Sequence, residues 1–190
     1  RESCPGIELK LRTGDQADGV ERVLASQDDS AIVATPGILP DKLAFLALRT
    51  TPLRLIGPKT PSPLSQQIDQ IIAQNSEPNW VEMPMVLAER GLAREQLLTR
   101  LSALGEKPNI YAQVAGHEAV VSMVSLGFGV AVVPELVIEH SPKRDTVRVL
   151  PWLTDLQPFT LSLCVLKARI KDPLLQALWD CAQLTHPQSL

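Results

Sequence analysis

No apolar run in this 190-residue chain reaches the roughly 18 to 20 residues that a bilayer-spanning helix needs, so transmembrane readings fail. Neither sign of charge is in excess. Residues 1–74 hold 8 Lys and Arg against 9 Asp and Glu, the rest 10 against 12, and the net charge is −3. Phosphate neutralisation demands a basic stripe, so this stretch of chain is expected to bind no nucleic acid by itself. Cysteine is scarce. Cys4, Cys164 and Cys181 lie far apart with no CxxC, and an odd number suits reduced thiols in a cytoplasm better than a disulfide framework. His117, His140 and His186 lack metal-ligand spacing, and neither metal nor cofactor is expected. The GxSxG elbow, the Walker A loop, HExxH and the EF-hand loop are all missing. No signal-peptide pattern follows Arg1, which stands where a complete chain would start with Met, so the sequence is expected to be a fragment of something longer.

What the chain does have is apolar content, 45% against 21% charged. A chain of this length buries roughly 70% of its unfolded surface, which excludes disorder and leaves room for one large domain or two small ones. Ile7–Thr13 alternates apolar and charged residues, the period of a strand with one buried face. Ala17, Val20, Val23 and Leu24 then recur at helical spacing, and Ser30–Thr35 is a short apolar run expected to be a strand covered on both faces. Further strands are expected at Lys42–Arg49, Pro52–Ile56, Val81–Leu87, Asn109–Val114, Val130–Val133 and Pro158–Lys167. Helices are expected at Leu64–Ile72, Leu92–Leu104, His117–Leu126 and Asp172–Gln183, with Leu97, Leu98, Leu101 and Leu104 on one face of the second and Leu126 turned inward in the third. Gly105 suits a helix end and Pro173 a first turn. Such alternation predicts α/β layers with mostly parallel sheets.

Few motifs carry chemistry. The glycines of Gly127-Phe-Gly129 follow a helix and precede a strand, the reverse of a dinucleotide fingerprint, so they predict a tight turn. His117-Glu118 has the composition of a general base with an orienting carboxylate, but no nucleophile accompanies it and a polar pair opening a helix is the simpler reading. More informative are four segments that leave the carboxyl ends of predicted strands: Thr13-Gly14-Asp15, Thr35-Pro36-Gly37, Glu89-Arg90-Gly91 and Ala115-Gly116-His117. In open α/β sheets ligands bind there, where N–H groups and helix dipoles favour anions. Each is also an ordinary turn. Two fall in each half of the chain, so a cleft between the halves is expected to hold a small carboxylate.

The stretch VAGHEAVVSMVSLGFGVAVVP, Val114–Pro134, resembles the effector domains of LysR-type transcriptional regulators, in which a helix ends in Gly-x-Gly, enters a strand and stops at Pro. PGIELKLRTG from Pro5, DSAIVA from Asp29, RLIGPKTPSPL from Arg54 and VEMPMV from Val81 are similar to that family too, so the resemblance covers nearly the whole chain. It implies a sensor and not an enzyme: two Rossmann-like subdomains of the periplasmic-binding-protein type (type 2), joined by two crossover strands, here residues 1–74 with 166–190, and 75–165. It also implies a cytoplasmic homodimer or tetramer that meets DNA only through an N-terminal domain absent from this sequence, with no membrane partner. Within the family the wording is nearest to the branch controlling branched-chain amino-acid biosynthesis, which implies acetolactate or acetohydroxybutyrate as coinducer. The ligand positions that carry over are Gly14, Asp15, Thr35, Pro36, Gly37, Arg90, Gly91 and Leu92, with Gly116, His117 and Glu118 as a further helix start. Arg90 or helix N–H groups would take the carboxylate and Thr35 the hydroxyl or keto oxygen. Asp15 would contribute its N–H or cap its helix. The family's domain normally opens with one more strand and helix before the segment at Pro5, a βα unit this sequence lacks. The rival readings are a transporter's solute-binding protein and a small-molecule enzyme using the same cleft.

Overall fold

The computed structural model describes residues 7–12, 16–35 and 37–185. The chain divides into two compact units, one formed by the described residues up to Thr50 and from Phe159, the other by Thr51–Pro158. The boundaries expected at 74/75 and 165/166 therefore fall earlier. The reason is strand pairing: the segment after Thr51 supplies the central strand of the second unit's sheet.

In the first unit, β1 (Ser30–Ala34), β2 (Leu43–Thr51) and β8 (Phe159–Leu166) form a sheet in the order β1-β8-β2. β8 is apolar almost throughout because both its faces are covered, successive side chains on a strand pointing opposite ways. Cys164 packs with Leu43, Val33 of β1 and Val23 of helix α1 (Gln16–Leu24). Leu163 and Val165 pack on the other face with Leu46 and with Leu175 of helix α6 (Pro173–Thr185). β1 runs antiparallel to β8, with Ser30 opposite Val165 and Ala34 opposite Leu161. The expectation of mostly parallel sheets is corrected here. β2 carries the chain out of this unit and β8 brings it back, so the two run in opposite directions.

Two further expectations are corrected. Residues 7–12 have the alternation of a strand but form none, and Leu9 and Leu11 stand 66% and 91% exposed. A strand exists only where a ladder partner accepts its hydrogen bonds, and no described residue pairs with this segment. Ser30–Thr35 is not covered along the whole of both faces, for Ile32 is 64% exposed: β1 is an edge strand among the described residues, and the face away from α1 is buried only at Ala34.

The second unit is built around β3 (Leu53–Pro58), which pairs antiparallel with both β6 (Ala131–Pro134) and β7 (Val147–Val149). β4 (Pro84–Ala88) and β5 (Asn109–Val114) form a parallel pair. Val130 joins the two groups: its N–H donates to Pro84 O (2.8 Å) and its carbonyl accepts from Val86 N–H (2.9 Å). This contact explains Gly129. A Cβ there would lie 2.8 Å from Pro84 O, too close for any side chain.

Helix α4 (His117–Ser125) lays Val120, Val121 and Val124 on a core that includes Ile56, Val86, Ala131 and Val133. Leu126 points outward at 69% exposure, because it caps α4 beyond the last inward turn. Likewise α3 (Leu92–Ala103) buries Ala93, Leu97 and Leu101, leaving Leu104 exposed at its C-cap. Helix α2 (Pro63–Ala73) starts at a reciprocal cap: Ser62 Oγ accepts Ser65 N–H (3.0 Å) and Ser65 Oγ accepts Ser62 N–H (2.8 Å). Pro134 does end β6 as expected, and helix α5 (Glu135–His140) follows it at once. None of the described helices is long and apolar enough to cross a membrane.

Candidate functional site

In the second unit, parallel pairing of β4 and β5 sets two strand ends side by side, with Ala88 opposite Val114 and Glu89 N–H donating to Val114 O (3.0 Å). Each strand then turns into a helix. α3 starts after Gly91 and α4 after Gly116, so Arg90–Leu92 and Gly116–Glu118 occupy the same edge of the sheet. Both N-caps are glycines at positive φ, +104° and +81°, a conformation that side-chain-bearing residues rarely adopt. Neither helix receives a side-chain cap, so the caps contribute no acceptor oxygen to the first-turn N–H groups. Two positive helix ends thus face one edge, an arrangement suited to an anion.

Charged side chains frame this edge. Arg94, in the first turn of α3, donates from Nη1 to Ala88 O (3.0 Å) and to Gln113 Oε1 (2.8 Å), clamping the helix start to both strand ends. Arg90 is exposed and His117 half-buried, and both interact within the protein. Glu118 braces the fold, since the buried Ser141 donates to its Oε1 (2.7 Å) and so ties the start of α4 to the segment after α5.

In the first unit, Thr35 follows the carboxyl end of β1. Its N–H and its Oγ1 both donate to Thr160 O (2.8 and 2.9 Å), and its Oγ1 lies 2.6 Å from Ser162 Oγ. Thr50 and Thr160 bring their hydroxyls to 2.9 Å across the β2–β8 ladder. A row of four hydroxyl groups therefore runs over the starting end of β8. Hydroxyls both donate and accept, so such a row can rearrange to meet a ligand hydroxyl or carbonyl. Gly37 is exposed, with open space where a Cβ would stand. Gly14, Asp15 and Pro36 lie outside the described residues.

Of the expected positions, the structure thus gathers Arg90, Gly91, Leu92, Gly116, His117 and Glu118 at one edge and sets Thr35 in a hydroxyl row of the other unit. Arg94, Gln113, Thr50, Thr160 and Ser162 are additions that the sequence reading misses. For Thr160 and Ser162 a signal is present: Thr160-Leu161-Ser162 interrupts an apolar strand with hydroxyls, one of them buried. For Arg94 the signal is weaker, since an arginine two residues into a helix is ordinary. Among the described residues no cluster of three or more His, Cys, Asp or Glu is placed to hold a metal ion.

Two α/β units, with helix starts gathered at strand ends, match known proteins along the whole chain. Residues 1–185 fit the family described as "LysR substrate binding domain", and the chain belongs to that family. It is 39% identical over 183 residues to the HTH-type transcriptional regulator IlvY of Escherichia coli K12, and 35% identical over 180 residues to the IlvY activator of Haemophilus influenzae. These alignments cover 94% of this chain but 60% of each regulator, so the chain spans less than two thirds of the relatives' length. Its fold is that of the effector binding domain of QuiR in complex with shikimate (TM-score 0.73, 17% identity, covering 100% of this chain and 86% of that one). The Synechocystis CcmR regulatory domain in complex with 2-PG is similar as well (TM-score 0.77, 16% identity, 99% and 88% covered). The expected periplasmic-binding-protein-like α/β class and the LysR resemblance are both borne out.

Proposed function

We propose that this chain is the coinducer-binding part of a LysR-type transcriptional activator, sensing acetolactate or acetohydroxybutyrate to control branched-chain amino-acid biosynthesis genes. It acts by binding, without catalysis, in a cytoplasmic homodimer or tetramer that reaches DNA through an N-terminal domain. The observation that carries this reading is the pair of uncapped helix starts at adjacent strand ends in the second unit. The 39% identity to IlvY regulators supports taking an acetohydroxy acid as the small carboxylate.

In this reading Arg90 and the first-turn N–H groups around Gly91–Leu92 and Gly116–Glu118 take the carboxylate, since charge-assisted hydrogen bonds are the strong ones. In the first unit Thr35 and Gly37 are further positions that the family resemblance assigns to ligand contact, as it does Gly14, Asp15 and Pro36 outside the described residues. Binding shifts the regulator between conformations only by differing in affinity for them.

The test is a thermal melt of the protein encoded by the whole reading frame. Acetolactate at about a hundred times its Kd should stabilise by about 2.7 kcal/mol and raise the melting temperature. No rise at roughly 10 mM ligand, a concentration that saturates any site of millimolar affinity, would sink the coinducer assignment.

A further inference from the structure

The turn between β4 and α3 has little of its own to hold it. Gly91 stands at φ +104°, and a Cβ there would meet nothing within 4 Å, so packing does not fix the turn. Gly116, at φ +81° between β5 and α4, is in the same situation. Glycine keeps wide backbone freedom, and two helix starts that converge on one small anion bind it well only where that freedom is removed beforehand.

Arg94 removes it at α3. It is the third residue of that helix and half-buried, and its side chain reaches back over Glu89–Gly91 to the last residue of β4. Its Nη1 carries two hydrogens, and both are used: one on Ala88 O (3.0 Å), the other on Gln113 Oε1 (2.8 Å) near the end of β5. The turn is thus closed by the covalent chain on one side and by the guanidinium on the other, and the neighbouring strand is tied into the same closure. At α4, Glu118 and the buried Ser141 make a corresponding tie (2.7 Å).

Arg94 also stands where a cation is unfavourable. The first turn of a helix is its positive end, which favours anions and not bases. Both acceptors of Arg94 Nη1 are neutral oxygens and cancel no charge. Glu89, at the start of the turn, and Glu95, next to Arg94, are exposed, where solvent and salt screen them. A bound anion offsets the cost of an arginine held in that place.

We propose that Arg94 and Gln113 are positioning residues of the anion edge: they hold the starts of α3 and α4 at the spacing at which both sets of first-turn N–H groups reach one carboxylate. The proposal rests on the coinducer reading for its ligand. Arg94 acts through the backbone it fixes, whereas Arg90 is the side chain assigned to the carboxylate itself.

The test compares the wild-type protein encoded by the whole reading frame with Gln113→Met and Arg94→Met. Gln113 is exposed and uncharged, so its replacement removes one bond of the clamp without altering the field at the edge. Calorimetric titration should show acetolactate bound at least about threefold more weakly by Gln113→Met, as when the competent arrangement falls to roughly a third of the population. Arg94→Met should bind more weakly still, with melting midpoints of both variants near that of the wild type. Hydrogen exchange without ligand, read by mass spectrometry, is the second measurement. The Glu95 N–H donates to Gly91 O (3.1 Å), the first bond of α3. Exchange in that turn should speed at least about fivefold in Arg94→Met while the β3–β6 ladder stays as in the wild type. Gln113→Glu, which keeps the acceptor oxygen, should retain the slow exchange. Wild-type affinity in both Met variants, unchanged exchange at Glu95 in Arg94→Met, or lost affinity accompanied by faster exchange throughout the β3–β6 ladder would each overturn the proposal. If Arg94→Met fails to fold, Gln113→Met is read in its place by the same criteria. If the wild type itself binds no acetolactate at roughly 10 mM, the coinducer reading fails, and exchange at Glu95 alone decides the clamp.

Discussion

Single positions in this chain are set by backbone proximity and burial more than by charge. A Cβ at Gly129 would press on the Pro84 carbonyl, whereas one at Gly37 would meet nothing within 4 Å. Gly129→Ala should therefore cost about 1 to 3 kcal/mol through forced backbone movement, while Gly37→Ala should stay within about 0.5 kcal/mol of the parent. Urea unfolding of the two variants checks this, and equal effects would contradict the close approach at Pro84. Cys164 makes a second prediction. Burial pushes its thiol from 9.0 up to about 11, so in the folded protein it keeps its proton after the unfolded chain has lost one. Stability from this group is complete below about pH 9 and declines as pH rises through 9 to 11, because the unfolded state then binds fewer protons. Unfolding curves at about pH 8 and about pH 10.5 should show the wild type losing more stability than Cys164→Ala over that interval.

The elements show which sequence signals are strong enough to be legible. β5 occupies the expected span Asn109–Val114, and α3 begins at Leu92 as the pattern predicts, because a glycine turn fixes where the helix can start and a polar turn where the strand can. The apolar period alone is less reliable. Leu104 and Leu126 fit their helical faces by spacing yet are exposed, since each sits at a C-cap where the axis has already passed the core. Residues 7–12 show the same limit: alternation specifies a face, but only a pairing partner makes a strand. The antiparallel pairing of β8 is not legible because strand order depends on contacts distant in sequence. α2 gives a prediction at this scale. Its reciprocal cap joins Ser62 to Ser65, so Ser62→Ala should cost about 1 kcal/mol, read from denaturant midpoints. A Ser62→Asp variant, which keeps an acceptor, should recover most of that loss.

For the whole molecule, the even charge balance and the two-unit division agree with the LysR substrate-binding-domain family to which the chain belongs. The family is legible from Val114–Pro134 because that stretch combines a helix start, a glycine turn and a buried strand, each fixed by a separate physical demand. The hydroxyl row at Thr35 is half legible: Thr35 itself follows from its place after a strand, whereas its partners Thr160 and Ser162 lie over a hundred residues away in the chain. The central claim is that an acetohydroxy acid binds through its carboxylate at the shared edge of α3 and α4. Calorimetric titration of acetolactate into the protein encoded by the whole reading frame, beside its Arg90→Ala variant, tests it most directly. Saturable binding weakened about tenfold or more in the variant, the loss of one charge-assisted contact, is the predicted result. Binding that is absent at roughly 10 mM, or identical in the two proteins, would contradict it.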